Sequence, residues 1–307
     1  MMTKSGRKII SLISCALISV LLFSSLAVPA AAATDETGRN VSIAENPQRI
    51  ISLAPGITEI LFALNLGSKT VGVTDFCNWP VDARQKQSVG GFINPSVEKI
   101  IALNPDLILA TVDGNRRETI EKLASAGLQV YVINPSSASG ILRSIANLGR
   151  ITKSDRQAKL LVSRLKKRLD NIARQTGRKS KPRIFFQIGL EPLITIGRGT
   201  LINEAIGLAG GVNIADDAGT RYPRYSKEGI IAGAPEIILF APMAGDKEFT
   251  AVKIFWRQFP EVPAVKNNKI YPVETDIIGR ASPRFIDAVE KMALLIHPDL
   301  SIGRNLH

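Results

Sequence analysis

Two stretches of this chain, 130 residues apart, spell nearly the same segment, and that duplication is the tightest constraint on its fold. The first is Ser96-Val-Glu98-Lys-Ile100-Ile101-Ala102-Leu-Asn-Pro105-Asp106-Leu-Ile108. The second is Ser226-Lys-Glu228-Gly-Ile230-Ile231-Ala232-Gly-Ala-Pro235-Glu236-Ile-Ile238. Seven positions are identical at the same spacing, and an eighth pair, Asp106 and Glu236, is acidic in both. The period is too long for a solenoid, whose units repeat every 20–50 residues or so. It implies two lobes built alike, each presenting one glutamate from an equivalent place.

Length and composition agree with two folded lobes. The chain has 307 residues, 45% of them hydrophobic and 21% charged, which suits two domains that each bury a core. The first 33 residues have the layout of a secretory signal: a basic start at Lys4, Arg7 and Lys8, an apolar run from Ile9 to Ala27, and small residues at Ala30 to Ala33. Cys15 follows too short an apolar run for a lipoprotein site. The mature chain is therefore expected in the periplasm, without a lipid anchor and with Cys77 as its one cysteine. Removing the three basic residues lowers the formal charge of +12 by three. Much of what remains lies in segment 153–181, as the solvated face of a helix. Four Tyr, two Trp and no recognition motif argue against nucleic acid.

Along the mature chain, strands and helices alternate. Asp35–Ile43 is a hairpin around Gly38, and Arg49–Ala54 is an apolar strand. Pro55-Gly56 turns the chain, with Thr58 as cap of helix 59–65. Strand 69–73, helix 96–103, strand 106–110, helix 115–126 and strand 128–133 follow. This order predicts α/β lobes with mostly parallel sheets covered on both faces. Segment 154–176 interrupts it. Apolar residues at Ala158, Leu161, Val162, Leu165, Leu169, Ile172 and Ala173 recur at gaps of three and four, the stripe of a helix. At about 1.5 Å per residue that helix spans about 35 Å, the length of a strut between lobes. Strand 184–188, helix 200–208, helix 226–233, strand 236–240, helix 249–258, strand 269–273 and helix 283–296 build the second lobe. The predicted layout is signal 1–33, first lobe 34–153, connecting helix 154–177, second lobe 178–298 and tail 299–307. Ligands in such folds sit beyond the carboxyl ends of strands and between domains.

Catalytic and metal chemistry lack their parts. His297 and His307 are the only histidines, and no Gly-x-Ser-x-Gly elbow or phosphate loop occurs. One cysteine and two C-terminal histidines cannot make a structural zinc site. No catalytic residue, resident cofactor or metal is expected. Cys77 reads first as a buried inert thiol. Arg280 and Arg284 either pair with a carboxylate of their own lobe or, with Arg198, Arg221 and Arg224, line an anion pocket. Asp106 and Glu236, at strand starts, read as structural.

The two Ser-x-Glu-x-Ile-Ile-Ala repeats, the segment Arg49-Ile-Ile-Ser-Leu-Ala-Pro-Gly-Ile-Thr-Glu-Ile-Leu-Phe-Ala63 and the long central helix resemble periplasmic binding proteins with a helical hinge. Pro263–Tyr271 and Arg280-Ala-Ser-Pro-Arg284 share that likeness, which covers residues 35–298. Within the family, Val71-Gly-Val73, Phe76-Cys-Asn-Trp79-Pro80 and Asp276–Arg284 are most similar to the cobalamin carriers. The resemblance implies a monomer that takes a corrinoid between two lobes and delivers it to the permease of an ABC importer, meeting the membrane only there. It places ligand contacts at Phe76, Phe92, Tyr222, Asp276, Ile277, Ile278, Gly279 and Arg280, and permease docking at Glu98 and Glu228. The cobalamin carriers have aromatics where this chain has Ile277 and Ile278. A ferric siderophore or haem carrier of the same fold is the alternative, and a secreted α/β enzyme a remote one. For the glutamates the plain alternative is an acid in the first turn of a helix, where the macrodipole favours it.

Overall fold

The computed structural model describes residues 30–241 and 246–302. The expected signal up to residue 29, Cys15 and His307 lie outside them. The chain opens with strands β1 (Ala30–Thr34) and β2 (Asn40–Ala44), an antiparallel hairpin that starts before the expected boundary at 34. Asp35 closes its turn by accepting hydrogen bonds from the Thr37 and Arg39 amides and from the Arg39 guanidinium, with Gly38 at a φ of +88° that suits glycine.

Each lobe then builds a sheet from the same plan. In the first, β3 (Ile50–Ser52), β4 (Thr70–Val73), β5 (Gln87–Ser88), β6 (Leu107–Thr111) and β7 (Val130–Ile133) lie all parallel in the order β5-β4-β3-β6-β7. In the second, β8 (Arg183–Leu190), β10 (Val212–Asn213), β11 (Ile237–Phe240) and β12 (Ile270–Pro272) lie parallel in the order β10-β8-β11-β12, and β9 (Leu193–Thr195) folds back antiparallel on β8. Strands β3, β6, β7 and β11 are buried on both faces, so they carry apolar runs rather than alternation.

The duplication reaches into the joints. Helices α1 (Pro55–Ala63), α2 (Val97–Ala102), α3 (Arg117–Ser125), α4 (Ala138–Ile151) and α5 (Asp155–Thr176) come before the second sheet. Helices α6 (Leu201–Leu208), α7 (Lys227–Gly233), α8 (Asp246–Trp256), α9 (Pro263–Lys266), α10 (Thr275–Ile278) and α11 (Phe285–Ile296) belong to the second half. The repeated segments form α2 and α7. Ser96 and Ser226 cap them, accepting from the Lys99 and Gly229 amides, a device worth about 1 kcal/mol each. Behind each helix, Arg49 donates to the carbonyls of Leu103 and Asn104 and Arg183 to those of Gly233 and Ala234, at the helix ends, and Asp106 and Glu236 accept from the backbone amides of Arg49 and Arg183. The structural reading of Asp106 and Glu236 agrees with this geometry.

The sheets' two faces feed different cores. Ile50, Leu107 and Leu109 of the first lobe, and Ile184, Ile237 and Leu239 of the second, join Leu161 and Leu165 of α5 in one continuous core. The alternate residues, Ile51 and Ile108 or Phe185 and Ile238, pack into private cores on each lobe's outer face. The 22-residue α5 is thus more than a rod. It packs along α4 and α11, and the lobes are fused through its apolar stripe. The Arg168 guanidinium forks onto Asp287 and Glu290 of α11.

Two points of the sequence reading need correction here. Helix α4 was not anticipated, although Ser137 caps it and Ile141, Ile145 and Leu148 give it a buried stripe. Thr58 caps nothing: α1 starts at Pro55, whose missing N–H costs nothing in a first turn, and Thr58 donates instead to Ser52. Of the segment expected as a tail, Leu300 and Ile302 bury their side chains in the continuous core.

Candidate functional site

In parallel sheets the crossover helices run back against the strands, so the loops after the strands and the helix N-termini share one end. In the first lobe that end holds Ala54–Ile57 after β3, Phe76 after β4, Thr111–Gly114 after β6, and Asn134–Ser136 after β7. In the second it holds Gly199–Ile202 at the start of α6, Arg221 and Tyr222, and Gly279–Ala281 after α10. Together they line an open cleft of about 550 Å³ between the lobes. Its walls are apolar and aromatic, with Phe76 and Tyr222 both more than half exposed on opposite rims.

The first lobe's wall is built with care around Phe92. The Asn115 amide donates to the carbonyls of Leu53 and Phe92 and accepts from the Thr111 amide, tying three loops together. Gly114 has a φ of +116°, and a Cβ there would lie 2.0 Å from the Phe92 ring. Only glycine lets the tip of the ring come this close to the turn. Gly114 and Asn115 were missed in the sequence, where Asp113-Gly-Asn115 after a buried strand is an ordinary turn signal.

The expected contacts divide. Phe76, Phe92, Tyr222, Gly279 and Arg280 come together around the cleft. Ile277 and Ile278 do not. They are 4% and 0% exposed, held in the continuous core where α10 packs on α6 and α11. Two adjacent apolar side chains on a one-turn helix gain more from that core than from an open rim. Asp276 stands outside the lining, with its carboxylate accepting from Asn78 at 2.9 Å and facing Arg280 at 3.1 Å.

For Arg280 the own-lobe reading holds through Asp276, but neither reading foresaw the carboxylate that it shares with Arg284. Their carboxylate partner is Glu59, on α1 of the opposite lobe. Glu59 is 4% exposed and accepts from Arg284 Nε at 2.9 Å, from Arg284 NH2 at 2.6 Å and from Arg280 NH1 at 3.3 Å. Arg280 also donates to Asn78 at 2.7 Å, and Arg284 lies 4.6 Å from the centre of the Trp79 ring. Burial opposes the charge on Arg284, but the hydrogen bonds and charge of Glu59 outweigh it and hold its pKa above the ordinary value. Beside this cluster, a Cβ on Gly56 would come 2.6 Å from the Ala281 carbonyl, so the lobes touch backbone to backbone. Arg198 is paired with Asp216, and Arg221 lies 3.7 Å from Asp113 across the cleft. Of the expected row of arginines only Arg221 and Arg280 line the cleft, and each faces a carboxylate.

Cys77 is buried between the Thr58 and Thr74 hydroxyls, and burial pushes its thiol pKa up, with those hydrogen bonds a partial offset. It is inert by this geometry. No group of three or more His, Cys, Asp or Glu side chains that could hold a metal occurs among the described residues. Glu98 and Glu228 are exposed in the first turns of α2 and α7, at equivalent places on the two lobes. Its own amide and then the Ser96 hydroxyl hold the Glu98 carboxyl below its usual pKa.

A family model described as Periplasmic binding protein matches residues 50–276. The chain belongs to that family. This periplasmic binding protein is 30% identical over 274 residues to a protein of Yersinia pestis named vitamin B12-binding protein, covering 89% of this chain and 90% of the relative. Among solved structures it is similar to the periplasmic vitamin B12 binding protein BtuF of Vibrio cholerae, with a TM-score of 0.73 at 30% identity, covering 81% of this chain and 96% of that one. The periplasmic heme binding protein HutB of Vibrio cholerae shares the fold, with a TM-score of 0.74 at 23% identity over 82% and 99% of the two chains. The expected class, two similar α/β lobes with mostly parallel sheets joined by one long helix, is the architecture found. No described helix is long and apolar enough to cross a membrane.

Proposed function

We propose that this periplasmic binding protein captures a corrinoid between its lobes and delivers it to the permease of an ABC importer. The observation that carries the reading is the chemistry of the cleft: aromatic walls from both lobes, with its arginines matched by carboxylates. A flat macrocycle edged with amides needs apolar and aromatic area plus a few polar groups, and gains little from a cationic pocket. An anionic ferric siderophore needs the opposite. The names of the relatives support the same cargo.

The protein works in the periplasm as a monomer after loss of residues 1–33, and it binds without turning its ligand over. No His, Cys or Glu lines the cleft among the described residues, which supports capture rather than acid–base chemistry. Glu98 and Glu228 dock on the permease. Two like charges at matching places on two lobes suit a two-fold partner with a cation in each half.

Titration of ligand-free protein with cyanocobalamin, a ferric siderophore and haemin separates the cargoes. Saturable binding of cyanocobalamin, tighter than the other two, is the expected result. Tight binding of haemin or the siderophore, with none of cyanocobalamin, would reassign the cargo within the same fold.

A further inference from the structure

The interface between the lobes carries a polar cluster whose charges cancel. Two guanidiniums, Arg280 and Arg284, face two carboxylates, Glu59 and Asp276. Glu59 is the one member supplied by the first lobe, and its side chain is 2% exposed while both arginines remain within 14–20%. With so little solvent to screen its charge, the arginines feel it more strongly than they would an exposed carboxylate. Arg280 is also part of the cleft lining, which puts this balance in contact with whatever the cleft holds.

We propose that Glu59 sets the charge selectivity of the cleft. By cancelling the arginines from across the interface, it makes the site favour an uncharged ligand over an anionic one of the same shape. Without the Glu59 charge the cluster is left one positive charge in excess, and Arg280, still held by Asp276 and Asn78, presents that excess to the cleft. The inference rests on the corrinoid reading for its choice of probe, but not for its sign.

The test uses a matched pair: cyanocobalamin and its monocarboxylic acid, in which one side-chain amide is hydrolysed to a carboxylate. Glu59→Gln keeps the shape and one acceptor oxygen but loses the charge, and its amide nitrogen donates where the second carboxylate oxygen accepted. The ratio of the two affinities should move about tenfold toward the acid, and the gain should shrink as salt is raised. Glu59→Asp, which keeps the charge, should leave the ratio near that of the unmodified protein. Arg284→Gln removes a cation outside the cleft lining and should move the ratio the other way, which keeps the test alive if Glu59→Gln fails to fold. An unchanged ratio in Glu59→Gln, or equal losses for both ligands, would overturn the inference and leave the corrinoid reading standing. If the unmodified protein bound neither corrinoid, that reading would fall. A ferric tris-catecholate would then replace the pair, with tighter binding by Glu59→Gln supporting the inference and unchanged binding overturning it.

Discussion

Gly114→Ala probes how the cleft wall is made. Two costs follow from the geometry. Alanine at a φ of +116° strains the backbone by about 1–3 kcal/mol. The new methyl would also sit 2.0 Å from the Phe92 ring, where ordinary carbon contacts need about 3.5–4.0 Å. The Phe92 carbonyl is held by Asn115 at 2.8 Å, so the backbone cannot retreat and the ring must swing away. Overpacking of this kind costs about 1–3 kcal/mol more. The total expected is about 2–6 kcal/mol. In a Phe92→Ala background the methyl has room and only the strain remains, so a double-mutant cycle should return a coupling of about 1–3 kcal/mol. Urea unfolding of the four proteins measures it, and cyanocobalamin titration should show Gly114→Ala weakening ligand capture alongside. Equal costs of Gly114→Ala in both backgrounds would refute the steric argument, and unaltered ligand affinity would remove Phe92 from the wall.

Four further outcomes are expected. Glu98→Arg with Glu228→Arg should abolish uptake through the cognate importer while ligand affinity stays intact; unchanged uptake would end the docking assignment. Phe76→Ala and Tyr222→Ala should each weaken capture by about tenfold, as lost aromatic contact is worth about 1–2 kcal/mol, read by the same titration. Burial raises the pKa of Glu204, despite the hydrogen bond it accepts from the Ala138 amide of the opposite lobe. The folded state therefore keeps a proton that the unfolded chain loses near pH 4.5, and this group lowers stability as pH rises above that value. Glu204→Gln should flatten that decline in unfolding experiments between pH 4.5 and 7, and an identical slope would contradict it. Small-angle scattering should give nearly the same envelope with and without ligand, because the lobes share one core and the Glu59 cluster. A marked compaction on binding would show that they do not move as one.

Local signals carried the plan of this molecule. Apolar runs, proline and glycine punctuation and the stripe along residues 154–176 act within a few residues, so strands, most helices and the duplication are legible in the chain alone. The twin Ser-x-Glu segments placed Glu98 and Glu228 in matching first turns, while the capping by Ser96 and Ser226 came with the structure. Helix α4 escaped because Asn134-Pro-Ser-Ser and scattered glycines mask its stripe as a loop, although its burial against α5 makes it one of the longer helices. The pairing of Arg280 and Arg284 with Glu59 was beyond sequence reasoning. Their partner Glu59 lies over 220 residues away on the other lobe, and charge in a sequence has no direction until folding brings it within 3 Å or so. The same holds for Ile277 and Ile278: a likeness to ligand-binding segments put them at the cleft, and a neighbouring helix took them into the core. What the chain determines alone is which elements form and that they form twice. Which side chains meet across the interface, and so what charge the cleft presents, is decided only when the two lobes close on a common core.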